Sequence, residues 1–142
     1  MILYCNFEEL AALTAGGHRL VAAAGAGDQP VIAPPQALVD LENMLPRLTG
    51  DVEIDTLHDQ RGLERAATFL LADLAARMDQ AILDQHPAAE DAVLAYFDYA
   101  HVRSVHNRLV RIGEEMAAII ELATGAPADD TTARGFSFSD ID

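Results

Sequence analysis

The sequence predicts a helix-dominant α+β fold, in which a small three-stranded β-α-β-α-β N-terminal unit packs on a long C-terminal helical hairpin. Three observations carry this expectation. Apolar residues recur at helical spacing from about residue 60 to 124, interrupted near Pro87. Three short runs, at 2–5, 30–34 and 51–57, have strand composition. The stretches between them open and close on residues that cap helices.

"ILYC" (2–5) is apolar and leads into Asn6, which with Glu9 three residues on has the pattern of a capping box. Leu10, Leu13, Leu20, Val21 and Ala24 then mark one face of a first helix that ends by Gly25 or Gly27. Gly16 and Gly17 in its middle weaken it or admit a close neighbour. "PVIAP" (30–34) reads as a brief strand, and Pro34 and Pro35 open a second helix through Leu38, Leu41 and Leu45 that Pro46 stops or kinks. "DVEIDTL" (51–57) alternates Val52, Ile54 and Thr56 with Glu53 and Asp55, the period of a strand with one wet face. Leu63, Ala67, Leu70, Leu74, Met78 and Ala81 form the stripe of the hairpin's first helix. Its second runs from about 88 to 124, closed by Gly125. A single α+β domain over 1–125 is therefore expected, followed by a C-terminal tail, 126–142. In the tail Phe136 and Phe138 alternate with serines, as in an extended segment that docks one face into an apolar groove.

At 142 residues the chain can bury about two thirds of its unfolded surface, enough to fold without metal or disulfide. It has one cysteine, Cys5, and a net charge of −14 from 23 acids and 9 bases, all of them arginine. Such an acidic chain repels phosphate backbones, which argues against a nucleic-acid partner and leaves a basic protein as a possible one. The apolar stretch around His18 and Arg19 is too interrupted to span a bilayer. No signal-peptide pattern opens the chain, so a cytoplasmic setting without membrane contact is expected.

The stretch with the most chemistry is "YFDYAHVRSVHNR" (96–108), in the last helix. Leu94, Val102, Val105, Leu109, Ile112, Met116, Ile119, Ile120 and Ala123 form one stripe, with Asp98 at its centre and His101 on its margin. Ala95, Tyr99, His106, Val110, Gly113 and Ala117 form a second, milder strip beside it. An arc this wide exceeds what one packing partner uses, and points to a homodimer.

An acid within an apolar stripe has to be paired, and His101, one turn on, is the nearest partner, which gives Asp98 a structural role in a core or interface. The rival reading is a metal or acid–base site. Asp55, His58, Asp98 and His101, with Asp59 and His106 nearby, are a mixed carboxylate and imidazole set of the kind that binds iron, manganese or zinc. Against it, no H-E-x-x-H, C-x-x-C or Glu-x-x-His is present. His101 and His106 also point about 140° apart on a helix, and Asp55, His58 and Asp59 read better as a solvated strand exit that caps the next helix.

Other patterns fail sooner. "GAGDQP" follows a helix and lacks a third glycine, so it is no nucleotide loop. Ser104 lies on the wrong side of its helix to join Asp98 and His101 as a nucleophile. "EEMAAIIEL" lacks the companion acids of a magnesium-dependent hydrolase. The residues specify no substrate or cofactor. They favour a non-enzymatic homodimeric interaction module over a metal-dependent hydrolase or oxidoreductase.

Overall fold

The computed structural model describes residues 1–27, 34–85 and 90–139. Its elements are β1 (Ile2–Leu3), α1 (Phe7–Ala26), α2 (Pro35–Met44) with a 3₁₀ turn at Leu45–Arg47, β2 (Val52–Glu53), α3 (Leu57–Asp84), α4 (Glu90–Thr124) and α5 (Asp130–Gly135).

The helix starts follow from capping chemistry. At α1 the Glu9 N–H donates to Asn6 Oδ1 (2.8 Å) while the Asn6 N–H donates to Glu9 Oε1 (2.9 Å), so two otherwise orphaned donors are satisfied reciprocally. The helix ends at Gly27, whose φ of 74° is left-handed and favours glycine. Gly125, with φ 73°, plays the same part after α4. Pro35 opens α2, and the chain tightens to a 3₁₀ turn at Pro46, which cannot donate to an α-helical ladder. Thr56 caps α3 by accepting from the Asp59 N–H.

That cap explains where the strand expectation was too generous. The alternating pattern of 51–57 is used as strand only at Val52–Glu53, because Thr56 is committed to the helix and Leu57 already belongs to it. Among the described residues the sheet has two strands rather than three, β1 and β2, antiparallel with Ile2 opposite Glu53 and Leu3 opposite Val52. The Ile54 N–H extends the pairing to the Met1 carbonyl (2.7 Å). The strand expected at 30–34 lies outside the described residues except for Pro34, which is the N-cap of α2.

α3 and α4 form the long antiparallel hairpin, and α1 and α2 pack across it. The core is continuous: Leu13 and Leu20 of α1, Leu41 of α2, Ile54 after β2, Leu70 and Leu74 of α3, and Val102, Leu109, Met116 and Ile120 of α4 are all buried. α1 and α3 both pack on α4, so much of its apolar arc is covered within one chain. The glycines of α1 are used for close approach. A Cβ at Gly16 would meet Leu70 at 2.9 Å and one at Gly17 would meet Leu45 at 2.7 Å.

The segment after Gly125 contains α5, capped by a reciprocal pair of bonds between Asp129 and Thr132. Beyond it the Phe138 N–H donates to the Asp55 carbonyl (2.7 Å), and the Phe138 ring is buried in the core with Phe136 against it. Among the described residues no helix is long and apolar enough to cross a membrane.

Candidate functional site

The polar groups of 96–108 separate into three sets once placed on α4. Arg108 is a tie between elements: its guanidinium donates to the Tyr4 carbonyl and to the buried carboxylate of Glu9. One arginine thus locks α4 to the segment just after β1 and to the capping box of α1. His106 shares a hydrogen bond with Thr68 Oγ1 across the hairpin (3.0 Å). Arg103 and Ser104 face solvent.

Asp98 is not a core acid. It is half-buried, forms no hydrogen bond or ion pair among the described residues, and lines a cleft, so its expected pairing with His101 does not form. The helical stripe placed it against the core because the stripe assumes a neighbour along its whole length. At residue 98 the neighbour is a cleft wall.

The four residues of the metal reading do not converge. Asp55 and His58 are exposed at the entry to α3, the end of the hairpin where Gln60 Nε2 donates to the Leu109 carbonyl (2.7 Å). Asp98 precedes Leu109 by eleven residues, about 16 Å along the helix axis. Asp59 is taken up by Arg47, which donates to both carboxylate oxygens (2.6 and 2.8 Å) and to the Glu53 carbonyl. That carboxylate holds the Arg47 guanidinium above its ordinary pKa. Among the described residues no three His, Cys, Asp or Glu side chains gather as a metal-binding group. Cys5 is no nucleophile either, because burial pushes its thiol up to about 11 against the pull of Arg108.

The distinctive surface is the end of the hairpin remote from the sheet, where α3 finishes and α4 begins. Ile82, Leu83, Val93, Leu94, Tyr96 and Phe97 are there, 37 to 81 % exposed, and the rings of Tyr96 and Phe97 meet edge-on at 5.9 Å. Beside this apolar end opens a cleft of about 680 Å³ between α1, α3 and α4, lined by Arg19, Arg77, Asp84, Asp91, Leu94 and Asp98 among others. Sequence periodicity missed Val93, Tyr96 and Phe97 because they lie off the main stripe. Their proximity to Ile82 and Leu83 depends on the hairpin being folded.

Comparison with protein families, with curated proteins and with solved structures finds no match.

Proposed function

We propose that this protein is a non-enzymatic interaction module that pairs with a second copy of itself through the distal end of the α3–α4 hairpin. The observation that carries the reading is the cluster of Ile82, Leu83, Val93, Leu94, Tyr96 and Phe97. Isolated apolar residues are ordinary on a protein surface, but six large ones at one helical end, two of them aromatic, are what interaction sites expose. Arg77, Asp84 and Asp91 line the cleft next to the patch together with Leu94, so both signs of charge adjoin it. A two-fold interface needs both signs, because each patch must complement its own copy.

Light scattering on a sizing column tests this. Twice the chain mass of 15.3 kDa is expected at tens of micromolar, falling to one chain mass for Phe97→Ser combined with Leu83→Ser. A wild-type monomer over the same range overturns the reading.

A further inference from the structure

The segment that follows α4 is seated as a bound peptide would be. Met1 and Ile54 exchange backbone hydrogen bonds (2.9 and 2.7 Å), so the backbone groups of Ile54 face the β1 side. In an extended strand successive residues turn these groups to opposite sides, which leaves the carbonyls of Glu53 and Asp55 on the outer edge. Arg47 donates to the first and the Phe138 N–H to the second. Along 136–139 the side chains alternate. Phe136 and Phe138 turn toward the core with their rings 5.0 Å apart, while Ser137 and Ser139 are exposed. A backbone bond to a sheet edge, with every second side chain taken into the protein, is how an added strand is recognised.

The seating is separable from the rest of the fold. Among the described residues one hydrogen bond, from the Phe138 N–H to the Asp55 carbonyl, ties 128–139 to the rest of the chain. The bonds of Asp129, Thr132, Ser137 and Ser139 stay within the segment. α5 rests on α3, where Arg61 stands 3.9 Å from an exposed Asp130. The anchors are apolar: Ala133 and Phe138 are buried, and Ala128 and Phe136 partly so. Residues 121–127, the end of α4 and the connection beyond it, are exposed throughout, with Gly125 in the left-handed conformation between them. A segment with few anchors and an exposed connection opens before the molecule unfolds.

We propose that residues 126–139 are a strap that opens as a unit about this connection, and that the groove it leaves along Asp55 and the start of α3 takes the same segment of a second copy. The strap itself shows which chemistry the groove accepts, an extended Phe-Ser-Phe with one backbone donor, and a second copy carries an identical segment, the condition under which an element is swapped between chains. The tethered strap competes for its own groove at an effective concentration of about millimolar, so exchange is favoured when the strap is weakened.

Native-state hydrogen exchange of the full chain, and binding of a blocked peptide of residues 131–139, test this. The amides of Ala133, Phe136 and Phe138 should exchange through one opening whose urea dependence is shallower than that of Leu70 and Ile120. The peptide should bind the Phe138→Ala chain saturably and raise its melting temperature, at least tenfold tighter than it binds the wild type, whose own strap competes. If that variant fails to fold, Phe136→Ala, at a half-buried ring, takes its place. The peptide carrying both Phe136→Ala and Phe138→Ala should not bind. Leu83→Ser with Phe97→Ser should leave these results unchanged, because the proposed hairpin pairing lies at the end remote from the sheet. Strap amides that exchange only together with those of the core overturn the proposal. So does absence of saturation of the variant at millimolar peptide, equal affinity for variant and wild type, or equal binding of the peptide without phenylalanines.

Discussion

Replacing Gly113 with alanine should destabilise the protein, although Gly→Ala inside a helix ordinarily stabilises by about 1 kcal/mol. Gly113 lies within α4, and a Cβ built there would stand 2.5 Å from Gln60 Nε2, 2.7 Å from its Cδ and 2.8 Å from its Oε1. Gln60 has little freedom to retreat. It is 1 % exposed, and its amide donates to the Leu109 carbonyl (2.7 Å) and to Glu64 Oε2 (2.8 Å). Displacing a buried amide from its partners costs roughly 1–3 kcal/mol, which offsets the propensity gain of about 1 kcal/mol and leaves a net loss of up to about 2 kcal/mol. Urea denaturation reads this as a lower midpoint at unchanged slope. Two controls isolate the cause. In a Gln60→Ala background the obstruction is gone and Gly113→Ala should no longer destabilise, a coupling that a double-mutant cycle measures. Gly25→Ala, in α1 with nothing within 4 Å of its Cβ position, should be neutral or stabilising. A Gly113→Ala variant as stable as the wild type, or the same loss with and without Gln60, would refute the packing argument.

Other substitutions test the ties between elements. Arg108→Ala leaves the buried Glu9 carboxylate without its cationic partner and the Tyr4 carbonyl without its donor, and should cost about 1–3 kcal/mol in a urea titration, discounted for the partial exposure of the arginine. Phe138→Ala empties a fully enclosed aromatic site and should cost about 3–5 kcal/mol. A midpoint unchanged from wild type would mean that the ring is not part of the core. Cys5 should react with a thiol reagent at pH 8 far more slowly in the folded chain than in urea, because its pKa is raised from 9.0 to about 11, chiefly by burial. The sign for stability follows: the thiol's contribution is constant below pH 9 and is lost as pH rises toward 11, seen as a falling melting temperature in that window.

Much of the fold was legible because its determinants are local. The Asn6–Glu9 capping box, Pro35 at the start of α2, and the glycines that close α1 and α4 each act within a few residues, and the long period of α3 and α4 repeats often enough to be unmistakable. The strands were read less well. Two-residue strands are held by pairing between residues some fifty positions apart, as Ile2 with Glu53, and alternation in 51–57 could not show that Thr56 would be spent on a cap. The Asp129–Thr132 cap of α5 was visible in the sequence but encloses too little periodicity to announce a helix of six residues. For the site, local spacing misassigned Asp98, since the helix pattern cannot reveal that its neighbour is a cleft. Arg108 was noticed only as one of several polar residues, because Glu9 lies 99 positions away.

Intermolecular contacts in a mixed sample of labelled and unlabelled chains, measured by isotope-filtered NMR, test the proposed self-pairing most directly. Contacts from the side chains of Leu83, Leu94, Tyr96 and Phe97 to the other copy are expected, with none from Leu122 or Phe7, which are also exposed but lie elsewhere on the molecule. Intermolecular contacts confined to Leu122 or Phe7, or none at concentrations where the chain is fully folded, would contradict it.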